Sequence, residues 1–478
     1  MMPNQGRPAR KCLGSKVYVI GTLALVLGLT GTFLYGCFGG EVQVKQAGTH
    51  GNADIFLPMS SVFTLFGAHR EEPVSWYRED DRHLVVATER YVLRLVEGNA
   101  LWVVRVPSKA KGQSDSQPST KACRGADGVI WVVHWPPRGG EYHPVEPRMT
   151  FCALSRDTGR VLAKSDFVVP SRISPDVVSM IARDQDCLVF LGDTRNLSHA
   201  EVEAVACVSC VRGAVRIALD DPLSLVGWIC ADSRSTPAGD SLVFTRSSPD
   251  GAFSIKVVRT DPLPSRSITV HGLPESSFRS GALDLMADDV LLSSMGKFRE
   301  KGRGVSFDLR TGETKWHQWT PYVADSWGNA FVQAGKAYVF SFVEDGVEQI
   351  MYMIDCNSGE AAQLIAENDF RLNGRIRYGP TLIAREGEIL FATDSATKKH
   401  DEVKHNVYAM RLSDKSVRLV ETVHIKGDAD ERFMGGDIRF LLPAAKGYWL
   451  GSGCGAIAYR EYASPQEPKR VTWGRNPG

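Results

Sequence analysis

Cys207 and Cys210 form the one Cys-x-x-Cys spacing in the chain, a pattern that suits zinc or a thiol–disulfide couple. Zinc takes four ligands, and no second such pair follows. On an extended strand, side chains three residues apart point to opposite faces, so the pair is not expected to share a metal. Three adjacent carboxylate pairs, Asp80-Asp81, Asp220-Asp221 and Asp288-Asp289, would suit calcium or acid–base work. Asp288-Asp289 leads directly into the apolar run Val290–Leu292, as a turn entering a strand does, and all three pairs are read as strand-end turns. The eleven histidines include no His-Glu-x-x-His. A Gly-x-Ser-x-Gly elbow and a Walker-type loop are likewise absent from the sequence. No residue is assigned as catalytic or metal-ligating, and no cofactor is expected.

The N-terminus carries a different chemistry. Residues 1–16 bear Arg7, Arg10, Lys11 and Lys16 and no acid, and Val17–Leu34 is uncharged and apolar. A basic stretch before an apolar one is a targeting element, so residues 1–36 are read as a signal peptide or a signal anchor. Leu34-Tyr35-Gly36-Cys37 resembles a bacterial lipobox, which would make Cys37 the lipidated residue. Tyr35 departs from the small residue usual there. Lipidated or anchored, the chain beyond is expected outside the cytoplasm, because the basic flank stays inside. That remainder has 52 basic and 55 acidic residues, without the basic surplus of a nucleic-acid binder. The other eight cysteines permit disulfides, but spacing alone does not pair them.

One pattern recurs: an apolar strand ending near Asp, a Thr/Ser-Gly turn, then a strand with an aromatic. Asp308, Thr311, Gly312 and Trp316 make the complete copy; Ser155, Thr158 and Gly159 a second; Asp355, Ser358 and Gly359 a third. Degraded copies centre on residues 94, 209, 259, 411 and 460. The spacing is close to 50 residues, the length of a four-stranded propeller blade. Runs such as Val129–Val133, Asp186–Phe190, Asp240–Phe244, Lys336–Phe340 and Glu388–Ala392 supply strands upstream of these anchors. The fold class is therefore all-β: an eight-bladed β-propeller of four-stranded antiparallel blades, with seven blades as the alternative. Residues 37–53 read as lipidated terminus and polar tether, and 54–478 as one propeller domain. Within it, Ile55–Phe66 is expected to close the ring near Lys469–Trp473.

Asp-x-x-Thr-Gly-x-x-x-Trp resembles the repeat of the pyrroloquinoline-quinone-like (PQQ-like) propellers, over roughly residues 74–475. With a lipidated start, it is also similar to the propeller lipoproteins of the outer-membrane β-barrel assembly machinery. That resemblance implies a non-enzymatic scaffold in the bacterial cell envelope, with the propeller in the periplasm, envelope or outer-membrane proteins as partners, and a lipid or N-terminal helix in the membrane. The alternative is an extracytoplasmic enzyme of quinoprotein-dehydrogenase type, or a small-ligand-binding propeller. The adjacent cysteines or Trp floor with acidic calcium ligands that such dehydrogenases need cannot be located here. Links between second and third strands swell in the middle blades, as in Trp135–Arg148, Gly192–Glu203 and Ala396–Asn406. Loops on a rigid scaffold are where binding resides, so Trp135, Arg138, Tyr142, Arg299 and Lys399 are the candidate partner-binding residues.

Overall fold

Strands such as Val129–Trp135 and Asp186–Gly192 are apolar along almost their whole length and buried on both faces. By contrast, Val161–Val168 and Asn99–Arg105 alternate between covered and exposed positions. A strand enclosed by neighbouring sheets reads as a continuous apolar run, and one at a sheet's outer edge alternates. These two patterns belong to the middle and the outer positions of the same antiparallel sheets.

The computed structural model describes the strands of eight antiparallel sheets with most of their turns; residues 1–44, 59–69, 107–118, 136–147, 271–282, 319–329, 367–381, 427–436, 463–478 and some shorter links lie outside the described residues. Seven sheets have four strands in chain order: 75–105, 119–168, 176–219, 229–270, 283–318, 330–366 and 382–426, called sheets 1 to 7. Sheet 8 takes Ile438–Pro443, Gly447–Ser452 and Ala456–Glu461, then two strands from the other end of the chain, Ala53–Phe56 and Lys45–Ala47. The first strands of successive sheets lie beside one another, and Ser75–Arg78 also approaches Ile229–Thr236. This is the all-β architecture of a β-propeller.

All eight anchor residues of the repeat fall on third strands: Arg94 in Tyr91–Val96, Ser155 in Arg148–Ser155, and so on to Arg460 in Ala456–Glu461. The runs read as upstream strands are second strands in every case. Ring closure differs from the expected register. Ala53–Phe56 pairs antiparallel with Ala456–Glu461, Ala53 opposite Tyr459, whereas Lys469–Trp473 lies outside the described residues. The segment read as tether also contributes, because Lys45–Ala47 pairs with Ala53–Phe56. Asp54 and Arg460 bind across this junction, Nη2 to Oδ1 at 2.7 Å, while Arg460 Nη1 donates to the Ala53 carbonyl at 3.0 Å. A charged, mostly buried fork thus fastens the two chain ends together.

The seams between sheets are apolar. Leu84, Leu95, Phe440 and Trp449 join sheets 8 and 1; Val85, Ile130 and Cys152 join sheets 1 and 2; Val133, Val177 and Val189 join sheets 2 and 3. The repeat turn is part of this packing. Gly159 has φ 69°, its N–H donates to the Ser155 carbonyl at 2.8 Å, and a Cβ there would sit 2.7 Å from Trp102 Cδ2. Trp102, on the outer strand of sheet 1, donates its indole N–H to the Arg156 carbonyl at 2.9 Å. The aromatic of one sheet therefore lies over the turn of the next, as the repeat implies. In sheet 6 the Asp355 carboxylate accepts from the Ser358 N–H at 2.9 Å. Asp308 and Trp316 lie in Arg303–Asp308 and Thr314–Gln318; Thr311, Gly312 and Gly359 lie outside the described residues.

Sheet 7 places Lys415 at the glycine position, with φ 57°, and Asp414 supplies the turn bond to the Ser416 N–H at 3.0 Å. Lys415 is exposed, so the position asks only for a left-handed backbone, while Gly159 must also leave room for Trp102. Gly159→Ala is expected to cost about 2–3 kcal/mol, by adding overpacking to the left-handed penalty. Lys415→Gly is expected to change stability by less than about 1 kcal/mol. Equilibrium unfolding in denaturant checks both; equal losses would separate the turn from the seam.

Candidate functional site

In an up-and-down sheet, the start of the first strand, the end of the second and the start of the third share one face. Residues 70–74, Thr88–Arg90, Thr120 and His134–Trp135 therefore gather where sheets 8, 1 and 2 meet, on the face that also carries the long second-to-third-strand links. The polar groups buried there are unusual for a seam otherwise made of apolar side chains.

Glu71 is fully buried, and Glu89 is 3% exposed. Glu71 Oε2 accepts from the Thr88 hydroxyl at 2.5 Å and the Arg90 N–H at 3.0 Å. Among the described residues, Glu71 Oε1 and Glu89 Oε2 have no hydrogen-bond partner. Burial pushes the Glu71 carboxyl up to about 7, against the lowering effect of Thr88 and Arg90. Burial, reinforced by the charge of Glu71, brings Glu89 to about 7 as well. Two carboxyls with one uncompensated oxygen each resist ionising together in a medium that solvates charge poorly.

His134 completes the cluster. Thr120 Oγ1 donates to the Glu89 carbonyl at 2.7 Å, so its single hydrogen is committed. The contact of 2.9 Å between Thr120 Oγ1 and His134 Nδ1 then has Nδ1–H as donor, which fixes the tautomer. Burial, with the positive Arg90 nearby, takes His134 down to about 4, so the ring is neutral near pH 7. The arrangement can hold and release a proton near neutrality at the carboxyls, or accept a cationic or hydroxyl-bearing group.

The residues singled out in the sequence fare differently. Trp135 is a correction: it ends Val129–Trp135 only 9% exposed, packed in the seam of sheets 2 and 3, and is no surface anchor. An aromatic beside a proline-rich link reads as a rim residue until the neighbouring sheet that covers it is known. Arg138, Tyr142, Arg299, Lys399 and Cys37 lie outside the described residues. Cys207 and Cys210 share Val202–Val211, opposite Ala218 and Val215, which places their side chains on opposite faces. Asp80 is a turn former, accepting from the Arg82 and His83 N–H groups at 2.7 and 2.8 Å. Asp221 Oδ2 accepts the Val226 N–H at 2.8 Å, and Asp288-Asp289 lies outside the described residues. No group of three or more His, Cys, Asp or Glu suited to a metal occurs among the described residues, and no helix there is long and apolar enough to cross a membrane.

Sequence reasoning missed Glu71, Glu89 and His134, which are 18 and 45 residues apart in succession. Their signal is slight: a charged Glu89-Arg90 pair in one of the two shortest second-to-third-strand links, and one histidine in an otherwise apolar strand. The pH dependence follows from the shifts. A glutamate loses its proton near 4.5 in the unfolded chain and near 7 here, so this stability is present below 4.5 and is lost as pH rises to about 7. His134 opposes it, being destabilising as pH falls from 6.5 towards about 4. Replacing both acids (Glu71→Gln with Glu89→Gln) is expected to flatten the fall in Tm between about pH 5 and pH 8, each carboxyl contributing at most ~3 kcal/mol. Thermal unfolding across that range checks it; an unchanged slope would place the titration elsewhere.

No family model and no curated protein matches the chain. Among solved structures it is similar to Saccharomyces cerevisiae Sqt1, with 8% identity and a TM-score of 0.45, covering 83% of this chain and 97% of that one. The WD40 domain of SCAP from fission yeast gives 10% identity and a TM-score of 0.47, over 83% and 96% of the two chains. The periplasmic gluconolactonase PpgL of Pseudomonas aeruginosa gives 15% and 0.36, over 74% and 96%. With every one of these scores below 0.5, the roles in those names are not transferred to this chain.

Proposed function

We propose that this chain is an extracytoplasmic, membrane-tethered, eight-bladed propeller that binds other proteins, with a bacterial envelope lipoprotein of outer-membrane protein assembly as its specific form. The observation that supports the reading is strand order. Links 136–147, 193–201, 248–252, 296–302, 343–348 and 395–401 each join a second to a third strand, so six consecutive sheets extend their loops from one face. The equivalent links of sheets 8 and 1 are turns of three residues, 453–455 and 88–90, so link length is uneven around that face, and Glu89 sits in one of the short ones. Loop elaboration confined to one face of a rigid ring is the usual geometry of a binding surface. The tether rests on the basic and apolar N-terminus and on Cys37.

Glu71 and Glu89 favour a second reading, a small-ligand or enzymatic site, because buried carboxyls with unpartnered oxygens are kept where a ligand or proton is handled. A thermal-shift screen against polyols, amines and quinones tests it. A compound that stabilises the wild type and not the Glu71→Gln, Glu89→Gln variant is its expected signature; no such compound would remove it.

Photo-reactive side chains at Tyr142, Arg299 and Lys399 are expected to capture an envelope partner in intact cells, whereas Asp157 and Lys415 on the opposite face are not. Cys37→Ser is expected to release the protein from the detergent phase. Capture from the opposite face alone, or a membrane association indifferent to Cys37, would overturn the corresponding half of the reading.

A further inference from the structure

Cys123 lies in Ser119–Arg124, the first strand of sheet 2, and Cys187 in Asp186–Gly192, the second strand of sheet 3. Their Sγ atoms are 3.7 Å apart and the residues are 5% and 1% exposed, within the apolar seam between the two sheets. The two residues are 64 positions apart in the chain, so the contact is made entirely by tertiary packing. Lys121 holds the same seam from two residues away. Its Nζ donates to the carbonyls of Val177 and Val178 at 3.0 and 2.7 Å, on the first strand of sheet 3. Side chains two residues apart on a strand share a face. The Lys121 clamp and the Cys123 thiol therefore address the same neighbouring sheet, and the clamp fixes the register in which the sulfurs meet.

We propose that Cys123 and Cys187 are a built disulfide site that staples sheet 2 to sheet 3 when the chain folds in an oxidising compartment. Two S–H bonds break and one S–S bond forms; the two protons and two electrons pass to a small-molecule disulfide such as oxidised glutathione, which leaves as two thiols. The hydrogen bond to Cys187 and burial both hold the Cys123 thiol well above its ordinary range. The thiolate needed for exchange is thus scarce once the seam has closed, and the bond is made while the sheets are still assembling. Where in the cell this occurs rests on the extracytoplasmic reading, but the chemistry does not, so the test uses the purified chain.

The full-length protein, purified in detergent, is unfolded and refolded in a mixture of oxidised and reduced glutathione. Free thiols are then alkylated under denaturing conditions and the protein is mapped by peptide mass. The expected product is one pair of peptides joined through Cys123 and Cys187, with a Tm about 4 °C above that of the reduced protein, as closure of so long a loop implies. Reductant should abolish the shift, and it should be absent from the Cys123→Ala, Cys187→Ala variant. Alkylation of both cysteines after oxidation, or their joining to other cysteines, would overturn the proposal. The peptide map of the wild type decides this even where the variant fails to fold. A disulfide formed in the tube but missing from protein isolated from cells would count against the compartment and not against the site.

Discussion

The structure depends on a junction between the two ends of the chain, where Ala53–Phe56 lies against Ala456–Glu461. Each sheet buries its faces only against its neighbours, so an unclosed ring would expose two apolar sheet faces as well as an unpaired strand edge. Pairing the chain ends within one sheet makes closure a matter of backbone hydrogen bonds. Arg460, bonded to both the Ala53 carbonyl and Asp54, adds a charge-assisted clamp at the same place. The Glu97-Gly98 turn of sheet 1 packs against Ala53 and Tyr459, so the closed sheet also seats the first one. Phe440, Trp449 and Leu84 fill the seam beneath.

Around the rest of the array the same economy applies with weaker sequence signals. The repeat turn has two tasks: to reverse the chain, and to present a flat surface to the outer strand of the preceding sheet. Gly159 meets both under Trp102. Lys415 meets only the first, with Asp414 bonding the turn from within. The physical requirement is a left-handed residue and a carboxylate or hydroxyl acceptor, and several residue types supply it. That is why the turns of sheets 2 and 7 share a left-handed residue at the same position while only one copy of the motif, at 308–316, is complete.

The buried acids stand apart from this economy, since nothing in sheet packing calls for them. Glu71, Glu89 and His134 place three buried titratable groups in the seam on the link-bearing face. Their uncharged forms suit the surroundings, which is the origin of the opposed shifts of acids and base. In the next seam the Cys123 thiol, against Cys187 Sγ, is likewise pushed up by that contact and by burial. Both clusters lie among sheets 1, 2 and 3, and His134 stands at the end of the strand that leads into 136–147, the longest of the second-to-third-strand links.

Fold class was legible in the sequence because strand periodicity, turn chemistry and a spacing near 50 residues are local properties, read within one sheet at a time. All eight anchors fall on third strands for that reason, from Arg94 to Arg460. Which residues meet across seams is not local. Trp135 looks like a rim residue beside a proline-rich link, and the neighbouring sheet covers it. Closure was expected from Ile55–Phe66 near Lys469–Trp473, and the strand found is Ala53–Phe56 on Ala456–Glu461, because register across some 400 residues is set by packing. Glu71, Glu89 and His134, and the pair Cys123 and Cys187, have no shared motif; the ring alone brings them together. The repeating unit and its turns follow from neighbours along the chain. The seams follow from packing between sheets, and in this protein the buried acids and the facing thiols lie in the seams.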